Sequence, residues 1–287
     1  MFKVLITGGA GFIGSHIVDK CIEAGFETYI IDNLSTGLRE NINPKAIFIE
    51  ADILTYDFVN EYDIIFHTAF QASIPKSLED PIGSNKNNIE GTLKILEYAR
   101  KVGAKIVFSS SSSIYGDAKE LPTKEESLSN CVSPYALQKL ICEQYMELYW
   151  KLFGVKSVAL RYFNVWGDRQ PNTGAYALAL AIFQTQLKNN EPFTIFGTGE
   201  QRRDFVNVND VAEVNLKAME YLDKAEKLEV FNIGSGINYS ILEVADLIKK
   251  DYPKIFLPPR IEPFENLADC SKAKRLLNWE AKKELLF

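Results

Sequence analysis

A chain of 287 residues, 46% hydrophobic and 24% charged, has an ordinary globular composition and room for one large α/β domain with a smaller lobe. No run of about 18 apolar residues occurs, and the N-terminal MFKVLITGG leads into a strand pattern rather than a secretory leader, so the expectation is a cytoplasmic protein with no membrane partner. A formal net charge of −6 argues against nucleic acid as a partner, and two histidines with four scattered cysteines (Cys21, Cys131, Cys142, Cys270) offer no familiar metal-ligand spacing.

In chain order, strand-like apolar runs at Lys3–Thr7, Thr28–Ile31, Ile47–Glu50, Ile64–His67, Lys105–Ser109 and Ser157–Arg161 alternate with helical stretches near Ile13–Ala24, Asn85–Val102 and Pro134–Phe153. That alternation predicts an α/β fold, a Rossmann-type doubly wound parallel sheet occupying residues 1–165. Beyond Arg161 the elements shorten and Gly- and Pro-containing loops intervene, with a helix near Tyr176–Lys188 and another opened by a capping box of Ser240 and Glu243. We read this part as a smaller substrate-binding lobe at 166–287, interrupted where 206–233 again reads strand, helix, strand and returns to the main domain.

Gly8, Gly11 and Gly14 lie between the first strand and the first helix, where the lack of a β-carbon allows a tight turn and a close approach of backbone N–H groups to a pyrophosphate. Turn glycines alone are weak evidence, but the second strand ends in Asp32, 18 residues past Gly14, where a carboxylate meets an adenosine ribose. That carboxylate repels a 2′-phosphate, and the NLSTG that follows offers small polar groups before any arginine, so NAD is expected rather than NADP. Asp52 either reaches the adenine edge or is a solvated turn residue.

The fifth strand runs into five consecutive serines, Ser109–Ser113, at its carboxyl end, the place where doubly wound sheets bind ligands. Downstream, Tyr135 and Lys139 stand four apart, on one face of a helix opened by Pro134. A phenol titrates near pH 10, so a tyrosine acting as a base near neutrality needs a neighbouring cation, which Lys139 supplies.

With these motifs in view the chain resembles the extended short-chain dehydrogenases/reductases, and among them the UDP-glucose 4-epimerase-like sugar-nucleotide enzymes. The resemblance runs through TGGAGFIG (Thr7–Gly14), DNLSTG (Asp32–Gly37), HTAFQASIP (His67–Pro75), NIEGT (Asn88–Thr92), SSSSIYG (Ser110–Gly116), YALQK (Tyr135–Lys139), RYFNVWG (Arg161–Gly167) and RRDFV (Arg202–Val206). It implies Ser111 as the catalytic hydroxyl, Tyr135 as the base, and Lys139 shared between tyrosine and cofactor ribose. Phe12, Ile13, Asn33, Ser35, Thr36, Gly37, Ile53, Thr68, Ala69, Asn88, Ser109, Tyr162 and Phe163 are implied to line the dinucleotide, with His67 a structural residue near it. Ser112, Asn164, Phe196, Arg203 and Arg260 are implied to face the substrate, the two arginines against its diphosphate unless they serve as salt-bridge partners. Asn266 aligns with the position that limits space beside C2 of the sugar, and its medium size implies that N-acetyl sugars are admitted.

Relatives that dehydrate or decarboxylate place an acid just after the catalytic hydroxyl, whereas Ser112 and Ser113 stand here. The resemblance thus implies epimerisation at C4 of UDP-glucose and UDP-galactose through a transient 4-keto sugar, with NAD tightly bound and regenerated each turnover. The rivals are a dehydratase, decarboxylase or reductase acting on a nucleotide sugar, and, from a different class, a noncatalytic dinucleotide sensor. Apolar residues spread over more than one face of Pro134–Phe153 predict either an intrachain lid or, as in relatives, a homodimer in which this helix and Asn85–Val102 pair with their copies.

Overall fold

The computed structural model describes residues 2–171, 179–259 and 262–285. Its centre is a parallel sheet of β1 (Lys3–Thr7), β2 (Glu27–Asp32), β3 (Ile47–Glu50), β4 (Ile64–His67), β5 (Lys105–Ser111), β6 (Ser157–Tyr162) and β10 (Glu229–Ile233), in the spatial order β10-β6-β5-β4-β1-β2-β3. The strand order reverses between β1 and β4, which opens a crevice above their carboxyl ends. These strands are apolar on both faces because helices cover both: Ile6, Ile30 and Phe66 belong to one buried cluster, Leu5, Ile31 and Ile65 to another. On the first face, α1 (Phe12–Glu23) packs against α7 (Val208–Tyr221); on the second lie α4 (Gly91–Val102) and α5 (Pro134–Phe153).

The local signals around α5 are complete. Ser133 caps it by accepting from the Ala136 N–H, Pro134 occupies the first turn, and Gly154 ends it at a positive φ of 71°. The helix expected from Asn85 begins earlier. α2 (Ile74–Glu79) and α3 (Pro81–Asn85) precede it, Asp80 capping α3 through the Gly83 N–H, and Lys86–Glu90 form a π turn that runs into α4. β5 extends to Ser111, two residues beyond the expected end, because Ser110 and Ser111 still pair with Arg161 and Tyr162 of β6.

The remaining elements form the lobe beside the crevice. β7 (Asn164–Trp166), β9 (Arg202–Asn207) and β11 (Asn238–Ser240) make a three-stranded sheet, while β8 (Phe193–Phe196) pairs with β12 (Lys254–Leu257). α6 (Ala179–Lys188) and α8 (Ile241–Ile248) pack there around Phe183, Phe193 and Val244, and the capping box of Ser240 and Glu243 is formed. Tyr176, where the first lobe helix was expected to start, lies outside the described residues. β9 pairs with β7 and β11 rather than with the central sheet, so the chain next rejoins that sheet through α7 and β10. It returns once more through α9 (Ser271–Leu277) and Trp279, whose indole donates to the Asp210 carbonyl at 3.2 Å within the α7 cluster.

Candidate active site

A cavity of about 870 Å³ opens over the carboxyl ends of the strands and reaches from the glycine loop to the lobe. Its first wall is Gly8, Gly11, Phe12, Ile13 and Gly14. A β-carbon on Gly14 would stand 2.2 Å from the Gly8 carbonyl oxygen, and one on Gly8 would stand 2.8 Å from the backbone of Ala69, so the loop is closed tightly enough to admit only glycine. No side chain caps α1, and the Phe12 and Ile13 N–H groups have no acceptor among the described residues. An uncapped, positively polarised helix end facing a cavity fits a pyrophosphate.

Asp32, Asn33, Ser35 and Thr36 line the cavity at the end of β2, with Asp52 and Ile53 beyond them. The Asp32 carboxylate is oriented by the Ala10 and Leu34 N–H groups at 3.0 and 2.8 Å; burial raises its pKa and these two bonds oppose the rise. Asp52 accepts from Asn33 Nδ2 at 3.0 Å and joins that wall. Gly37 does not line the cavity. A β-carbon there would stand 2.9 Å from both Asp32 oxygens, so this glycine makes room for the carboxylate. Thr68, Ala69, Ser109, Tyr162 and Phe163 form the floor, joined by Phe70 and Gln71.

Asn88 is a correction to the implied set. It is fully buried, its Oδ1 accepting from the Gln71 N–H at 2.7 Å and its Nδ2 donating to Gln138 Oε1 at 2.7 Å, so it supports the lining from behind. His67 is held at both nitrogens, Nδ1 at 2.8 Å from Thr7 Oγ1 and Nε2 at 3.0 Å from Thr92 Oγ1. Thr92 spends its proton on the Asn88 carbonyl, so Nε2 is the donor and the ring is the neutral tautomer. Burial first, then the Lys139 charge, lowers the His67 pKa to about 3. It is a structural histidine.

Ser111, Ser112, Tyr135 and Lys139 all line the cavity. The Ser111 oxygen accepts from the Ser113 N–H at 3.2 Å; burial raises the Tyr135 pKa, and a hydrogen bond with Ser111 acts against it. Lys139 is buried, donating to the Ser109 carbonyl at 2.5 Å with its nitrogen 3.4 Å from the centre of the Phe70 ring. Burial lowers its pKa to about 7, against an upward pull from Cys142 and Glu143. Lys139 is thus a neighbour of the phenol, its nitrogen 5.8 Å from the Tyr135 ring centre, with one of its protons on a backbone carbonyl.

At the lobe end the cavity is lined by Asn164, Arg203 and Asn266. Asn164 Nδ2 donates to the Asp204 carbonyl at 2.7 Å, and Asn266 Oδ1 accepts from the Asp204 N–H at 2.8 Å and from Asn164 Nδ2 at 3.2 Å. Backbone partners therefore set both amide orientations, leaving Asn164 Oδ1 and Asn266 Nδ2 for the cavity. Arg203 donates to the Arg202 and Phe264 carbonyls and has Nη2 2.9 Å from Glu262 Oε2, without the alignment of a hydrogen bond, so it is both a lining residue and an ion-pair partner. Phe196, on the β8 strand that pairs with β12, is not among the described lining residues. Arg260 lies outside the described residues.

Tyr115, Lys76 and Glu262 also line the cavity and were not singled out from sequence. Tyr115 and Lys76 sit beside quoted motifs, in SSSSIYG and after HTAFQASIP; Glu262 carried no signal. Among the described residues no cluster of metal-ligating side chains is found, and no helix is long and apolar enough to cross a membrane.

Residues 4–234 match the NAD dependent epimerase/dehydratase family. The chain is 41% identical to a putative UDP-glucose 4-epimerase of Methanocaldococcus jannaschii, over 98% of this chain and 94% of that one. Among solved structures it resembles the Thermotoga maritima UDP-glucose 4-epimerase with UDP-glucose, at 39% identity and a TM-score of 0.93, covering 99% of this chain and 95% of that one. It is also similar to a UDP-N-acetylglucosamine 4-epimerase from Methanobrevibacter ruminantium in complex with UDP-N-acetylmuramic acid, at 35% identity and a TM-score of 0.92, covering 99% and 94%. Matched over most of its length in sequence and fold, the chain belongs to the NAD dependent epimerase/dehydratase family.

Proposed function

We propose that this protein is an NAD-dependent nucleotide-sugar 4-epimerase, an isomerase that interconverts UDP-glucose and UDP-galactose and accepts their N-acetylated counterparts. The observation that carries the choice of reaction is the distribution of carboxylates around the cavity. Among the described lining residues, Asp32 and Asp52 stand on the wall that follows the glycine loop and Glu262 is paired with Arg203, while Ser111 is followed by Ser112 and Ser113. Relatives that dehydrate or decarboxylate usually place an acid just after the catalytic hydroxyl; a hydride withdrawn and returned needs none.

The residues divide the work as follows. The uncapped start of α1 takes the pyrophosphate of NAD, and Asp32 the adenosine ribose. When bound, NAD supplies a reversible hydride acceptor. Ser111 fixes the sugar 4-oxygen and Tyr135 takes its proton, returning it after the 4-keto sugar has presented its other face. The Lys139 ammonium favours the phenolate once it turns from the Ser109 carbonyl. Arg203 exchanges Glu262 for the substrate diphosphate, and Asn266 Nδ2 donates to the group on C2, which supports acceptance of an acetamido carbonyl. We further infer a cytoplasmic homodimer. The outward stripe of Leu137, Leu148 and Leu152 on α5, each 46–63% exposed, supports that second-copy partner, and the four cysteines are free, as in a reducing compartment.

The test is denaturing release of copurified cofactor followed by a UDP-sugar panel read by NMR. Inversion at C4 with unchanged mass and no net NADH is expected. Loss of water or carbon dioxide, or NADH accumulating in step with product, overturns it.

A further inference from the structure

Glu143 stands four residues past Lys139 and eight past Tyr135, on the same face of α5. It touches neither the cavity nor solvent, yet it carries the densest set of bonds on that helix. Ser110 Oγ donates to its Oε1 at 2.5 Å, Arg161 Nε donates to Oε1 at 3.0 Å, and Arg161 Nη2 donates to Oε2 at 2.6 Å. Ser110 and Arg161 are register partners on β5 and β6, the rung immediately before Ser111 and Tyr162. Arg161 continues the chain. Its Nη1 donates to Tyr115 Oη at 2.7 Å, and Tyr115 donates to Asn232 Oδ1 of β10 at 2.7 Å.

We propose that Glu143 and Arg161 are positioning residues for the epimerase reaction: the buried pair locks α5 to the last rung of the sheet and thereby sets Tyr135 and Lys139 against Ser111. The proposal rests on the reading of Ser111, Tyr135 and Lys139 given above. A helix is stiff along its axis, so sliding or tilting α5 against β5 moves Tyr135 relative to Ser111 by a comparable amount, and a displacement of about 1 Å at reacting groups costs on the order of a hundredfold in rate. Two parallel hydrogen bonds from a planar guanidinium resist both motions, which a single apolar contact does not. The carboxylate also works electrostatically, since Glu143 is among the groups that raise the Lys139 pKa against burial. The other titratable groups near that ammonium are His67 on β4, held neutral, and Cys142 and Tyr135 on α5; Phe70, Phe108 and Ser109 complete its surroundings.

Buried ion pairs replaced as a pair by apolar residues are commonly neutral for stability, whereas removal of one partner is not. A purely structural role is therefore rescued in Glu143→Met/Arg161→Met and a positioning role is not. Glu143→Gln, the double variant and the conservative Glu143→Asp are to be compared as purified holoenzymes by thermal melting, by kcat and KM for UDP-galactose at temperatures below the melt, and by NMR titration of the labelled Lys139 nitrogen. The expected result in the variants that remain folded is a kcat lower by at least about tenfold with KM within about threefold, the pattern of lost transition-state alignment. Lys139 should titrate at lower pH in the two variants lacking the carboxylate, with Glu143→Asp intermediate. A folded double variant with kcat within twofold of the parent and an unmoved Lys139 titration overturns the proposal. If the parent itself inverts no UDP-sugar, the assigned reaction is what fails, and the titration and melting of the same variants still decide whether Glu143 acts on Lys139.

Discussion

At the residue scale the site turns on two groups held away from their ordinary ionisation. Burial raises the Tyr135 pKa and lowers that of Lys139 to about 7, so each alone is a poor partner and together they are poised to exchange charge. Tyr135→Phe removes the proposed proton acceptor without disturbing the glycine loop. Its expected outcome is a kcat lower by about 10²- to 10⁴-fold with copurified NAD retained, checked by initial rates and by cofactor release. Lys139 also leaves a mark on stability. Its folded pKa lies below the unfolded value, so between about pH 7 and 10.5 the unfolded chain binds a proton that the folded one has shed, and stability rises with pH across that window. Below pH 7 the penalty of the buried charge is fully present. Lys139→Met should flatten that slope and gain on the order of a few kcal/mol at pH 7 in cofactor-free protein, measured by urea unfolding across the pH range. An unchanged slope would show that the ammonium is not desolvated in solution. His67 acts in the same direction in a lower window: neutral in the fold, it costs stability as pH falls from about 6.5 toward 3.

At the scale of elements, the glycine loop and α5 were legible because their signals are local. Gly8, Gly11 and Gly14 follow directly from backbone crowding, and Ser133, Pro134 and Gly154 bracket α5 to the residue. Gly14→Ala should lose copurified NAD and lower the melting temperature, because the new β-carbon would lie 2.2 Å from the Gly8 carbonyl oxygen. Gly25→Ala is the control. That glycine has a positive φ but nothing within 4 Å of a β-carbon, so it should cost about 1–2 kcal/mol of stability and leave the cofactor content unchanged. Equal NAD loss in both variants would mean that crowding at the loop is not what matters. The π turn at Lys86–Glu90 and the short strands of the lobe escaped the sequence reading. Three- and four-residue strands carry too few alternations to register, and a π turn has the composition of any helix.

At the scale of the whole molecule, the central sheet leaves α5 with an outward stripe that stays exposed among the described residues. Leu148 and Leu152 are 46% and 63% exposed, while Met146, on the side opposite Leu148, is in the core. A homodimer should therefore appear at about twice 32.4 kDa by light scattering, and Leu148→Asp/Leu152→Asp should reduce it to a monomer that still binds NAD. A monomeric parent protein removes the dimer proposal without touching the site. The same scale explains why the lobe and the large domain are stapled together: α9 and Trp279 carry the C-terminal segment back to α7, and Asp204 gathers the backbone N–H groups of Ser235, Gly236 and Ala268 beside the cavity.

What the sequence by itself determined is whatever depends on neighbours along the chain: the strand and helix periods, the glycine turn, Asp32 at the end of its strand, and the helical spacing of Tyr135 and Lys139. What only the tertiary structure decided is which distant segments meet. Asn88 supports Gln71, β8 with Phe196 pairs with β12, Arg203 finds Glu262, and Glu143 joins α5 to the rung beside Ser111. A hydrogen bond or ion pair between residues far apart in sequence leaves no period to read, because it is created by packing.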